Sequence, residues 1–383
     1  MQIHRVASGD TLWTIAQATG STPQELMSLN GLASQTELVP GLNLLAPGPT
    51  AVVPQARTNK RTIEVNGYLV PSGPQDAATV QNVAPHLTYL CIFSYQAQAS
   101  GGLTPENDTI ALQAAKNGGV RPLMTVTNFD GNNFNPDLAH AVMSDQTIRS
   151  QLIANILRTV SEKGFAGVNV DFEHMHPMDR ALYDNFIRTL ATALHERGLS
   201  ISIAMGPKTS DEPNQPWMGA FNYQALGLMV DFIMLMTYEW GWVGGPPMAI
   251  APIDQVRAVL NYATSVIDPG KILMGMTLYG YDWPLPHPAA GLASGISDNN
   301  AQNLAIRTGS PVEWSTSGES PYFNYRASDG RAHQVWFEDA QSVADKFELV
   351  YEMNLRGVSY WVLGNNFPQN WALLGETFVT KRF

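Results

Sequence analysis

The chain reads as an α/β protein: a (β/α)8 TIM barrel with a small α+β insertion after strand seven, preceded by a compact βααβ unit. Three observations predict this. From residue 61 onward, short apolar runs alternate with segments of helical period, the pattern of βα units around a parallel sheet. Such runs occur eight times, within about 320 residues, where a barrel without insertions takes about 250. Ahead of them, residues 2–47 carry their own turns and caps and are followed by a proline-rich stretch.

In the N-terminal unit, Ile3 and Val6 flank a short strand, and Ser8, Gly9 and Asp10 make a turn. Asp10 or Thr11 then caps a helix whose apolar positions are Leu12, Ile15 and Ala16, ended by Gly20. A second helix starts at Thr22 and Pro23, with proline in the first turn, and carries Leu26 and Leu29. Asn30 and Gly31 stop it, and Leu42 to Leu45 supply a return strand. Residues 48–60, with Pro49 and Pro54, read as a semi-rigid linker that would leave the unit a tethered domain. The run "VASGDTLWTIAQATGSTPQELMSLNGL", with "PGLNLLAP" after it, resembles a LysM module. That resemblance implies binding of N-acetylglucosamine-containing glycans, chitin or peptidoglycan. The implied groove is lined by Gly9, Asp10, Thr11 and Leu12 on one loop and by Asn30, Gly31 and Leu32 on the other.

The expected barrel strands run 63–69, 89–95, 122–127, 167–173, 199–205, 232–238, 272–278 and 357–362. Helices between them show apolar spacing, as in Ile148, Leu152, Ile156 and Val160 behind a cap at Ser144, and in Leu182, Phe186, Leu190 and Leu194. Residues 280–334, rich in Gly, Ser, Asn and Trp, exceed any ordinary loop and read as the inserted subdomain. A doubly wound open sheet is the alternative, but no glycine-rich phosphate loop follows the first strand.

Strand four carries the chemistry. In Gly167–Glu173, Val168, Val170 and Phe172 alternate with Asn169, Asp171 and Glu173, so both carboxylates face one way. Their backbones lie roughly 6.6 Å apart. In such barrels the active site lies at the C-terminal strand ends, which here gather Tyr68, Asn128, Asp171, Glu173, Met205, Tyr238, Glu239, Tyr279 and Trp361. Aromatic faces and carboxylates at one rim suit a sugar. Glycoside hydrolysis needs an acid and a second group across the scissile bond. Two acids on one strand cannot flank a sugar, so the nucleophile is either Glu239 or the substrate's own 2-acetamido group, and spacing does not choose between them.

Composition narrows the partners. A net charge of -11 and a pI near 5.1 speak against nucleic acid or anionic membranes. The single cysteine, Cys91, sits in an apolar run and reads as a core thiol. No secretory signal is visible, and no apolar run is long enough for membrane insertion. No cofactor is expected. His174 is placed on the outward strand face and His176 precedes Pro177 in a loop, so neither is read as a metal ligand.

Residues 61–383 resemble glycoside hydrolase family 18, whose strand-four signature is Asp-Gly-x-Asp-x-Asp-x-Glu. Here it reads Ala166 to Glu173, keeping Asp171 and Glu173 but carrying Ala166 and Asn169 in place of two aspartates. The resemblance implies Glu173 as general acid/base and Asp171 as holder of the acetamido group and stabiliser of an oxazolinium intermediate. "MTYEW" matches the Met-x-Tyr-Asp motif, which gives Met236 and Tyr238 to the acetamido pocket and puts Glu239 where the family has Asp. Trp361 would floor the subsite of the cleaved sugar, with Tyr68, Asn128, Tyr279 and Asn169 around it. Asn169 would bond Asp171 and leave the core one negative charge short, so that Glu173 is raised less than in full-motif relatives. "NVDFEHMHPMDRALYDNF" and "QVWFEDAQSVADKFELV" narrow the resemblance to spore cortical-fragment-lytic N-acetylglucosaminidases. Peptidoglycan is then the implied substrate, with spore coat or cortex as the location, or the cell wall after non-classical export. A chitinase or endo-acting deglycosylating enzyme would share the mechanism. A chitinase-like lectin would share the barrel but typically lacks the acid, and Glu173 is present.

Overall fold

The computed structural model describes residues 1–33, 38–48 and 60–383; of the expected linker, residues 49–59 lie outside these. Eight parallel strands close into a barrel: Arg61–Leu69, Tyr89–Ala97, Arg121–Thr127, Gly167–Asp171, Ser200–Met205, Phe232–Leu235, Ile272–Thr277 and Gly357–Trp361. Closure is direct, because strand one pairs with strand two (Asn66 opposite Tyr89) and with strand eight (Val65 opposite Val358). Strands four and six leave the ladder sooner than their apolar patterns suggest, at Asp171 and Leu235. The residues that follow them build the mouth.

Strand four shows how the pattern becomes layers. Val168 and Val170 lie fully buried in the core beneath the helices. Phe172 stacks on Phe186 of the helix Arg180–His195, ring centroids 5.6 Å apart. Asn169 points into the barrel, where Tyr68 Oη donates to its Oδ1 at 2.9 Å. The helix over this strand, Gln146–Lys163, is capped by Asp145 and not Ser144. The Asp145 carboxylate accepts from Thr147 and Ile148 N–H at 2.7 and 3.0 Å, and its charge suits a helix N-terminus better than a hydroxyl does. Ser144 instead ends the helix before it, Pro136–Ser144.

The insertion leaves at Tyr279. It forms a five-stranded antiparallel sheet with the helix Asp298–Thr308 against it, and its last strand ends at Trp336. In the N-terminal unit, strands Gln2–Arg5 and Asn43–Ala46 pair antiparallel, and the helices Leu12–Thr19 and Pro23–Asn30 start at reciprocal capping boxes on Thr11 and Thr22.

The unit is docked, which a tethered reading did not foresee. Leu12, Ile15, Leu26, Leu42 and Leu44 share one buried cluster with Ala301, Leu304, Phe323, Val335 and Phe337 of the insertion. Gly31 and Gly41 permit the approach. Each has positive φ, and a Cβ on them would sit 2.0 Å from Asn299 Oδ1 and 1.9 Å from the Val312 carbonyl oxygen. Among the described residues no helix is long and apolar enough to cross a membrane.

Candidate active site

A cavity of about 540 Å³ opens at the C-terminal end of the barrel. Of the residues singled out from the sequence, it brings together Tyr68, Asp171, Glu173, Met236, Tyr238, Glu239, Tyr279 and Trp361. Trp361, ending strand eight, is held edge-on by Tyr68 and Phe93, at 5.6 and 5.1 Å between centroids. Tyr238 depends on Gly275 of strand seven, where an added Cβ would sit 2.7 Å from the tyrosine ring.

The acids share a poorly solvated space. Asp171 is 4% exposed, and its Oδ1 has no hydrogen-bond partner among the described residues. Burial raises its pKa well above the usual carboxylate range. Glu173 is raised as well, by burial first and then by the charges of Asp171 and Glu239. Burial also raises Glu239, although Tyr279 and Tyr281 hydroxyls donate to its Oε1 and partly offset the effect. Tyr238 is raised by burial and by all three acids, so it stays a neutral hydroxyl donor.

Two polar side chains sit behind the cavity and do not line it. Asn128 is fully buried and clasps the Glu173 backbone: its Oδ1 accepts from Glu173 N–H at 2.9 Å, while its Nδ2 donates to the carbonyls of Glu173 and Asn135 at 2.9 and 3.0 Å. Asn169 lies beneath Asp171 and does not bond it. Its partners are Tyr68 Oη and, through Nδ2, Ser202 Oγ at 3.1 Å and Met234 Sδ at 3.5 Å. The strand period explains this: residue 169 faces one layer deeper into the barrel than residue 171. Cys91 is also in that buried interior.

His174 corrects its sequence reading. It lies beyond the strand end with φ of 53°, so the alternation no longer applies, and it enters the cavity to stack on Trp217 at 5.0 Å. His176 turns outward to Asp137, Nε2 to Oδ1 2.7 Å. Sequence reasoning also missed Phe93, Phe134, Trp217 and Trp242 in the lining. The last two sit 60% and 51% exposed on loops after strands five and six, and exposed tryptophans in barrel-mouth loops were the available signal.

The implied glycan groove of the N-terminal unit divides in two. Gly9, Asp10 and Thr11 lie on its surface, with Asp10 Oδ2 accepting from Ala7 N–H at 2.9 Å. Leu12 is 6% exposed, and Asn30 and Leu32 are buried against the insertion. Asn30 Oδ1 accepts from Leu45 N–H and Gln369 Nε2, both at 2.7 Å, and its Nδ2 donates to the Leu26 and Leu45 carbonyls. Its polar atoms are committed to holding the unit in place, which leaves none for a glycan.

Raised carboxyls under aromatic walls at the mouth of a barrel suit glycoside hydrolysis. Residues 92–366 match Glycosyl hydrolases family 18, and the chain belongs to that family; residues 4–47 match the LysM domain. Over its full length it is similar to the cortical fragment-lytic enzyme of Bacillus subtilis (strain 168), at 39% identity with 100% of both chains covered. The crystal structure of the Bacillus cereus spore cortex-lytic enzyme SleL superposes with a TM-score of 0.94 at 35% identity, covering 100% of this chain and 98% of that one. A chitinase from Chromobacterium violaceum ATCC 12472 is similar over 82% of this chain and 99% of its own, with a TM-score of 0.76 at 30% identity.

Proposed function

We propose that this glycosidase cleaves the β-1,4 bond after N-acetylglucosamine in peptidoglycan of the spore cortex, with retention and with the substrate's acetamido group as nucleophile. Glu173 donates its proton to the leaving oxygen while the acetamido carbonyl oxygen attacks the anomeric carbon. The C–O bond breaks and a bicyclic oxazolinium forms. Asp171 accepts the acetamido N–H and offsets the developing positive charge, and Tyr238 donates to the acetamido oxygen. Glu173, now a carboxylate, removes a proton from water, which attacks the anomeric carbon from the face the leaving group left and breaks the oxazolinium C–O bond. Trp361 floors the sugar, Met236 and Tyr279 close the pocket, and Tyr68 braces Trp361 from behind.

The observation that carries this reading is the buried Oδ1 of Asp171, an acceptor with no donor among the described residues, beside a Glu173 whose surroundings favour its protonated form. A buried acceptor without a partner costs about 1–3 kcal/mol, which an acetamido N–H would recover. The relatives named for cortex lysis support the polymer and the location, in the spore coat or cortex. The surface loop Gly9–Thr11 would contribute glycan contacts from the LysM domain.

The test is product analysis on purified cortex peptidoglycan. New reducing ends should be N-acetylglucosamine; reducing-end muramic acid would overturn the assignment. The resemblance to the Chromobacterium chitinase supports a second reading, chitin hydrolysis by the same chemistry. Comparing chitin oligomers with cortex fragments as substrates separates the two.

A further inference from the structure

Docking of the N-terminal unit creates a second concavity of about 340 Å³ that shares no lining residue with the catalytic cavity. Three parts of the chain wall it: Arg5 and Asn43 from the unit's strands, Trp314 and Glu319 from the insertion, and Gln341 and Asp345 from the helix Ala340–Glu352. The walls are fixed relative to one another. The unit and the insertion share a core, and Asn43 Nδ2 donates to Asp339 Oδ2, at the cap of that helix, at 2.8 Å. A cleft preformed in this way loses little entropy on binding.

Its chemistry is selective. Trp314 is half-buried and has no ring or cation partner among the described residues, and the Arg5 guanidinium likewise has no hydrogen bond or ion pair there. Gln341 Nε2 donates to Asp345 Oδ1 at 2.8 Å, which leaves that amide's carbonyl for a ligand donor. Two carboxyls against one guanidinium disfavour phosphate polymers and anionic lipid surfaces alike. One indole face among planar amide, carboxyl and guanidinium groups fits a pyranose ring, with its apolar face and its ring of hydroxyl and acetamido groups. Burial and the Glu319 charge raise Asp345 to about 6, so it can donate as well as accept in mildly acidic solution.

We infer that this junction cleft is a second saccharide site, which holds an N-acetylhexosamine stretch of a glycan away from the catalytic cavity. The inference rests on the glycosidase reading above. By keeping polymer near the barrel mouth, the site would raise its effective concentration without touching the chemistry.

The test uses the full chain carrying Glu173→Gln, titrated calorimetrically with the N-acetylglucosamine tetramer and, separately, with peptide-free peptidoglycan strands. Two binding events are expected. Adding Trp314→Ala should weaken one of them by about tenfold or more, as for an aromatic anchor. In the otherwise native chain, Trp314→Ala should slow hydrolysis of insoluble polymer and leave kcat/KM on a short chromogenic chitobioside within about twofold. A second event sensitive to Trp314→Ala, with the tetramer alone, with the strands alone or with both, supports the site and identifies its source. A single event, or two events indifferent to Trp314→Ala, overturns it. Should that variant not fold, Arg5→Glu and Gln341→Ala carry the same test from the cleft's polar walls. Activity retained by Glu173→Gln would refute the catalytic reading, and that outcome is read separately from the titration.

Discussion

Asn128 touches no part of the cavity, yet Glu173 depends on it. Replacing it with alanine strands the Glu173 N–H and carbonyl, while the Asn135 carbonyl keeps its bond from Ala139 N–H. Each stranded buried group costs about 1–3 kcal/mol, and the neighbouring open cavity lets water recover part of that, so a total loss of about 2–4 kcal/mol is expected. Against an ordinary stability of about 5–15 kcal/mol the variant still folds. Its catalytic loss is larger than a structural role would give, because the clasped backbone is that of the acid itself. A misplacement of about 1 Å at a reacting group costs roughly 100-fold, so kcat on a short N-acetylglucosaminide should fall about 10–100-fold with KM little changed. Thermal unfolding and steady-state kinetics, run side by side on Asn128→Ala and Asn128→Asp, provide the assay. The aspartate keeps the bond from Glu173 N–H and should retain more activity than alanine. An alanine variant with native kcat and a native Tm would refute the positioning argument.

Two further outcomes follow from the geometry. Glu239 raises Glu173, so Glu239→Gln removes a like charge and lets Glu173 ionise at lower pH. The basic limb of kcat/KM should move to lower pH, and an unmoved limb would place the charge out of reach. Leu44 is fully buried in the core that the LysM domain shares with the insertion, so Leu44→Ala should cost about 2–5 kcal/mol and lower the Tm of the whole chain in one transition. A separate low-temperature transition, with the barrel's Tm unchanged, would restore the tethered picture.

Much of this was legible in the residues. The eight strands were, because apolar runs bounded by turn signals decide a buried parallel strand locally. Asp171, Glu173, Tyr238 and Trp361 were placed in one cavity because position at a strand's C-terminal end fixes location in a barrel. Reasoning by period failed where the period stopped. His174 lies past the ladder with a left-handed backbone, and Trp217 and Trp242 sit on loops whose course depends on tertiary packing. Asn30 and Leu32 misled for another reason: their partners, Gln369 and the insertion, are hundreds of residues away, and no local pattern announces a docking surface. Asn169 was assigned to the right face but one layer too high.

The central claim is that the substrate's own acetamide attacks while Glu173 delivers the proton. Its most direct test is kcat/KM for a series of aryl N-acyl-β-glucosaminides whose acyl methyl carries none, one, two or three fluorines. Fluorine drains the carbonyl oxygen of nucleophilicity, so the account predicts a steep, monotonic fall along the series. A flat series would contradict it and hand the nucleophile's role to a protein carboxylate, with Glu239 the nearest candidate.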